Sequence, residues 1–123
     1  RQPLSIVPLA PKRRHAPYFV DYVMTLIQDR YPQTLLEKGG YQIYTTLDMH
    51  MQTTAESLLA HGLANKDDSI EGAVLIMDPK SGDILAMVGG KKYENSQFNR
   101  AVKIQRHIGS LIKPVVYYTA LRR

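Results

Sequence analysis

Gly72-Ala-Val-Leu-Ile-Met-Asp78, then Pro79-Lys-Ser-Gly82, then Asp83-Ile-Leu-Ala-Met-Val88, closed by Gly89-Gly90, is the stretch that decides the architecture. Two short apolar runs flank a group of turn formers. Proline presets φ for a turn, and serine and glycine continue the turn chemistry. Gly82 can take the positive φ that a tight hairpin demands. The stretch predicts an antiparallel β-hairpin. Both runs are almost continuously apolar, which predicts a hairpin covered on both faces.

Upstream of the hairpin, Asn65-Lys-Asp-Asp-Ser69 reads as a polar loop. Before it, Met51, Ala55, Leu58 and Leu59 keep helical spacing, and Asp48 suits the N-cap of that helix. Tyr41-Gln-Ile-Tyr-Thr-Thr46 is rich in β-branched and aromatic residues and predicts a strand. Gly39-Gly40 predicts a turn. Phe19, Val20, Val23, Leu26 and Ile27 share one face of a helix. Pro17 suits its first turn, and Tyr31-Pro32 ends it, because a residue before proline is pushed out of the α region. Residues 1–17 hold four prolines and few periodic apolar positions, so they read as an extended linker.

Downstream, residues 91–108 are polar and basic with weak periodicity. From Ser110 on, Leu111, Val115, Tyr118 and Leu121 predict an amphipathic helix running to the chain end. Pro114 falls in its first turn, where backbone donors lack partners anyway.

The 123 residues are 44% hydrophobic and 22% charged, a globular composition that excludes a disordered tail, a collagen-like repeat or two full domains. No apolar run approaches the ~18 residues of a membrane-spanning helix. The first residue is Arg1 rather than Met, with no signal peptide ahead of it, so the chain is expected to be a piece of a longer protein. There is no cysteine, which excludes disulfides, thiolate metal sites and a cysteine nucleophile. His15, His50, His61 and His107 have no partner at ligand spacing, and no phosphate-binding glycine pattern occurs.

The net charge of +5 is unevenly spread. Between His15 and Gly90, acids outnumber bases ten to four; from Lys91 on, eight bases face Glu94 alone. A basic end of this kind attracts anions. It lacks the interleaved aromatics of a single-strand nucleic-acid binder, and no nucleic-acid partner is expected.

Ser110-Leu-Ile-Lys113 is the one motif that carries chemistry. On a helix, residues i and i+3 share a face, so a hydroxyl and an amine can meet. A serine needs a base to become a useful nucleophile. A neutral lysine serves when its surroundings lower its pKa from ~10.4 towards ~7–8. Serine at a helix start also sets backbone N–H groups towards developing negative charge. Taken alone, the tetrad is a weak signal and reads more readily as a capping serine beside a surface lysine.

Its context is more specific. Gln97-Phe-Asn-Arg-Ala101, then Gly109-Ser-Leu-Ile-Lys-Pro114, resembles the active-site region of the penicillin-binding transpeptidases. The hairpin from Ala73 to Gly90 resembles the strand pair that opens their domain. Ala16-Pro-Tyr-Phe-Val-Asp-Tyr-Val23 and Tyr41-Gln-Ile-Tyr-Thr-Thr-Leu-Asp48 resemble the linker after the glycosyltransferase domain of the bifunctional (class A) members. The four blocks keep the family's order across about residues 16–121. The Gly-Ser-Leu-x-Lys-Pro form is most similar to the second class A enzyme of Gram-negative bacteria.

The resemblance implies an α+β fold: an incomplete transpeptidase-like domain, with the hairpin and an active-site helix, preceded by a helix–strand–helix linker. Residues 1–69 would be the linker or pedestal, and 70–123 the N-terminal part of the transpeptidase domain. It implies Ser110 as the acylated nucleophile and Lys113 as its base, with no cofactor. The implied partners are D-Ala-D-Ala stem peptides of peptidoglycan, β-lactams, an upstream glycosyltransferase domain and the remainder of the transpeptidase domain. The implied place is the periplasmic face of the inner membrane, with a membrane anchor outside this chain. The family's further motifs, S-x-N and K-T-G or K-S-G, come after the serine. Here no serine has asparagine two places on. Lys80-Ser-Gly82 precedes Ser110 and reads as turn chemistry. The isolated chain is therefore expected to be inactive. The alternative from another class is a non-catalytic pedestal or interaction module of a cell-wall protein.

Overall fold

A computed structural model describes residues 14–122. The proline-rich segment before Arg14, with Lys12 and Arg13, lies outside the described residues. The elements in chain order are α1 (Pro17–Arg30), α2 (Gln33–Glu37), α3 (Met49–Gly62), β1 (Val74–Met77), β2 (Ile84–Val88), α4 (Arg100–Lys103), a 3₁₀ turn (Gly109–Ile112) and α5 (Lys113–Leu121). The elements are helices and one small two-stranded antiparallel sheet, which agrees with part of an α+β domain.

The hairpin forms as its sequence predicts. Val74 pairs with Val88, Leu75 with Met87, Ile76 with Ala86 and Met77 with Ile84. The skipped Leu85 marks a bulge beside the turn, where an extra residue bends one strand. The turn closes through Asp78 N–H to Asp83 O (2.9 Å) and Gly82 N–H to Asp78 O (2.8 Å). Gly82 sits at φ +80°, the region closed to most residues with a Cβ.

The expected covering of both hairpin faces is corrected. Ala86, Met87 and Val88 of β2 are buried, but Leu75 and Met77 of β1 are exposed. Helices α1 and α3 both pack on β2, while β1 is met only lightly, by α3. Continuous apolarity therefore overstates how much of β1 is covered by the described residues.

The core lies between α1 and β2. Ala16, Phe19 and Met87 form it, with Tyr22, Val23, Leu47, Ile84 and Ala101 packed around them. Pro17 opens α1, and Tyr31 ends it in extended backbone (φ −126°, ψ 140°) ahead of Pro32. Ala16 holds the left-handed φ of 47° while its methyl is buried in this core. That backbone costs about 1–2 kcal/mol for a residue with a Cβ, and burial of the α1 entry against Met87 offsets it.

The predicted strand at 41–46 does not form. Residues 39–48 carry no regular structure, and α2, a short helix with no counterpart among the predicted elements, precedes them. The segment touches β2 through Thr46 Oγ1 to Ile84 O (2.6 Å) and Asp48 N–H to Leu85 O (2.8 Å). One backbone bond is not a ladder. β-branched and aromatic content fits a residue to a sheet surface, and a strand also needs a partner along its length. The helix–strand–helix linker is thus corrected to two helices and a short third joined by irregular chain.

Asp48 caps α3 as expected, accepting from His50 N–H (2.8 Å) and Met51 N–H (2.9 Å). The buried face of α3 differs from the predicted one. Gln52 and Ala55 are buried, whereas Met51 and Leu58 are exposed. A polar side chain anchors this helix, and apolar periodicity cannot register it.

Candidate active site

The path to Ser110 starts at a buried joint. Asn99 caps α4 by accepting from Ala101 N–H through Oδ1 (3.2 Å). Its Nδ2 donates to Tyr18 O of α1 (3.3 Å) and to Met87 Sδ of β2 (3.2 Å). Arg100 N–H donates to Gly89 O (3.1 Å), and its guanidinium reaches Gly89 O, Ser96 Oγ and Phe98 O. The same guanidinium lies 3.9 Å from Glu71, whose carboxylate also accepts Lys91 N–H (2.8 Å).

Aromatic residues lock the other side of the joint. Tyr18 O–H donates to Ser96 O (2.6 Å), and its ring meets Tyr93 edge-on with centroids 5.0 Å apart. Tyr93 O–H donates to Asp21 of α1. Burial pushes the Tyr18 phenol above its ordinary 10.0, and the Glu71 carboxylate adds to the rise. The hydrogen bond to the Asp21 carboxylate likewise holds Tyr93 above 10.0. Gly89 and Gly90 are required here by close approach. A Cβ on Gly89 would stand 2.5 Å from Asn99 Oδ1, 2.7 Å from Tyr18 Cδ1 and 2.8 Å from Asn99 Cα.

After Ala101 the burial stops, and every residue from Val102 to Arg122 is exposed. Gly109 turns the chain at φ +52° into the 3₁₀ turn. Ser110 lies in that turn, so α5 begins at Lys113 rather than at the serine. In a 3₁₀ turn residues i and i+3 eclipse, which sets Ser110 and Lys113 on one side. Their backbones are joined by Lys113 N–H to Ser110 O. Both side chains are exposed, and no side-chain hydrogen bond joins them among the described residues. Leu111, Val115, Tyr118 and Leu121, the predicted apolar face, are exposed as well.

The structure places Lys80-Ser-Gly82 in the hairpin turn. Lys80 N–H donates to Asp78 Oδ1 (2.9 Å) and Ser81 O–H to Asp83 Oδ2 (2.7 Å). His61 bonds its own helix through Nδ1 and Ser57 O (3.0 Å). Among the described residues no group of three or more His, Asp or Glu side chains could hold a metal ion. A groove of about 410 Å³ between α1, residues 43–46 and the hairpin turn includes neither Ser110 nor Lys113.

The joint is what sequence reasoning missed. Gln97-Phe-Asn-Arg-Ala101 entered it only as a family resemblance, and Gly89-Gly90 only as the close of a strand. Paired glycines after a buried strand are the signal of a close backbone approach.

Known proteins resemble this chain along nearly its whole length. The family described as the penicillin-binding protein transpeptidase domain matches residues 72–123. Penicillin-binding protein 2D of Bacillus subtilis is 36% identical over 126 residues, covering 99% of this chain and 18% of that protein. Penicillin-binding protein 1B of Escherichia coli is 33% identical, covering 98% of this chain and 15% of that protein. Penicillin-binding protein 1A of Aquifex aeolicus is 56% identical over 52 residues, which are 42% of this chain and 7% of that protein. The chain thus spans less than a fifth of the length of these relatives.

Proposed function

This chain belongs to the class A penicillin-binding proteins and covers the start of their transpeptidase domain, and we propose that Ser110 and Lys113 are the nucleophile and base of a D,D-transpeptidase. The supporting observation is the S-x-x-K tetrad, seated across a 3₁₀ turn inside the matched residues 72–123.

In this reaction, Ser110 Oγ attacks the carbonyl carbon of the penultimate D-Ala of a peptidoglycan stem. Lys113, as a neutral amine, takes the hydroxyl proton. The Ser110 backbone N–H is one donor for the oxyanion. The tetrahedral intermediate collapses, the proton passes to the departing nitrogen, and the terminal D-Ala leaves. An amine of a second stem then attacks the acyl-enzyme, forming the cross-link and returning the serine. β-Lactams acylate the same oxygen, and their opened ring stays attached.

Residues 1–69 serve as the pedestal and 70–123 as the opening of the transpeptidase domain, with a glycosyltransferase domain elsewhere in the parent. The parent works on the outer face of the bacterial inner membrane. The S-x-N and K-T-G contributions are not among these 123 residues, and nothing described here buries Lys113. The isolated chain is therefore expected to be inactive.

The test is labelling of the whole parent with a fluorescent penicillin, followed by mapping of the adduct. An adduct on Ser110 is expected, with none in Ser110→Ala and acylation slowed by about 10²-fold or more in Lys113→Ala. A folded parent that carries no adduct on Ser110 would leave these residues as a non-catalytic pedestal.

A further inference from the structure

Asn99 stands where three segments distant in sequence meet, with 7% of its surface exposed. Its Nδ2 ties α1 through Tyr18 O, and its Oδ1 caps the helix that leads towards Ser110. Its neighbour Arg100 fastens the same point to Gly89 of the sheet. Ala101 is half-buried, and from Val102 to Arg122 every residue is exposed. Asn99 is therefore the last buried anchor on the chain before the serine.

We propose that Asn99, held by Tyr18, is a positioning residue for the Ser110 nucleophile. It fixes where and at what angle the segment carrying Ser110 leaves the body of the protein. Helix α4 spans only Arg100–Lys103, a single turn, and such a helix does not hold itself together without tertiary support. Losing the tie lets α4 pivot on its cap, and the ensuing residues carry that displacement towards Ser110. A nucleophile has to be held close to its attack geometry, and a shift of about 1 Å from a remote change can cost about 10²-fold in rate. The two halves of the side chain are separable. Aspartate retains a cap acceptor for Ala101 N–H but cannot donate to Tyr18 O. Asn99→Ser also retains a cap acceptor and removes the amide donor without adding a charge.

The chemical side of this proposal rests on the transpeptidase reading; the geometric side does not. Asn99→Asp and Asn99→Ser are introduced into the whole parent, and two readouts are taken on each. The first splits penicillin acylation into non-covalent affinity and acylation rate constant. The second follows amide hydrogen exchange at residues 109–113. The expected result for Asn99→Asp is an acylation rate constant lower by about tenfold or more, affinity nearly unchanged, and faster exchange at 109–113. Asn99→Ser is expected to shift both readouts the same way, and it decides the matter if Asn99→Asp does not fold. Unchanged exchange at 109–113 in a folded variant overturns the proposal, as does a loss of acylation no larger than the loss of folded protein. A wild-type parent that is never acylated on Ser110 removes the transpeptidase reading, while the exchange comparison still decides the positioning role.

Discussion

The side-chain amide of Gln52 brackets the backbone of Met87: Oε1 accepts Met87 N–H at 2.9 Å and Nε2 donates to Met87 O at 3.1 Å. Gln52 is fully buried and Met87 nearly so. In a strand, a residue's N–H and C=O point to the same side, so these two bonds lie on the edge of β2 away from β1. One glutamine on a helix thus acts as a single peptide unit of a missing neighbour strand.

Gln52→Ala is therefore expected to strand two buried backbone groups as well as leave a void. Each unsatisfied group costs about 1–3 kcal/mol, so a loss of about 3 kcal/mol or more is expected in urea unfolding. Gln52→Met tests the cause: it restores volume but not the bonds, and most of the loss should remain.

Gly89→Ala is expected to destabilise by about 1–3 kcal/mol, the usual cost of overpacking. The new methyl meets Asn99 backbone as well as its side chain, and backbone yields less easily. Gly62, at the end of α3, is the matched control. A Cβ there meets nothing within 4 Å, and Gly62→Ala is expected to leave stability unchanged or raise it by up to about 1 kcal/mol. Similar thermal midpoints for the two variants would contradict the packing described at the joint.

Asp48→Ala removes both cap bonds of α3 while the backbone bond from Asp48 N–H to Leu85 O remains possible. A loss of about 1 kcal/mol is expected. Asp48→Asn should retain most of it, and equal losses in the two variants would assign another role to the carboxylate.

Stability should fall on the alkaline side. The folded protein holds the Tyr18 and Tyr93 phenols neutral beyond 10.0, so the unfolded chain ionises first and binds fewer protons. Their contribution is complete below that value and is lost as pH rises from there through the folded pKa values. Urea midpoints across the alkaline range, with tyrosinate absorbance as the second probe, should show this slope, and Tyr18→Phe should flatten it. On the acid side, hydrogen bonds from Ser69 hold the exposed Asp67 below its ordinary 3.8, a contribution present above that value and lost as pH falls through the folded pKa.

Local chemistry was legible in the sequence. Pro17 and Pro32 bounded α1, Asp48 capped α3, and Gly82 marked the hairpin turn, because each acts on backbone within a few residues of itself. The S-x-x-K tetrad and its order among the other family blocks were also readable from the letters alone. Tertiary structure decided the rest. It left 41–46 without a ladder, since a strand requires a partner that composition cannot supply. It chose Gln52 over Met51 and Leu58 as the inward face of α3, since hydrogen bonds to a distant backbone have no period. It also gathered Tyr18, Glu71, Gly89 and Asn99 into one joint. Those residues are spread over 81 positions of chain, and only the folded path brings them within reach of each other.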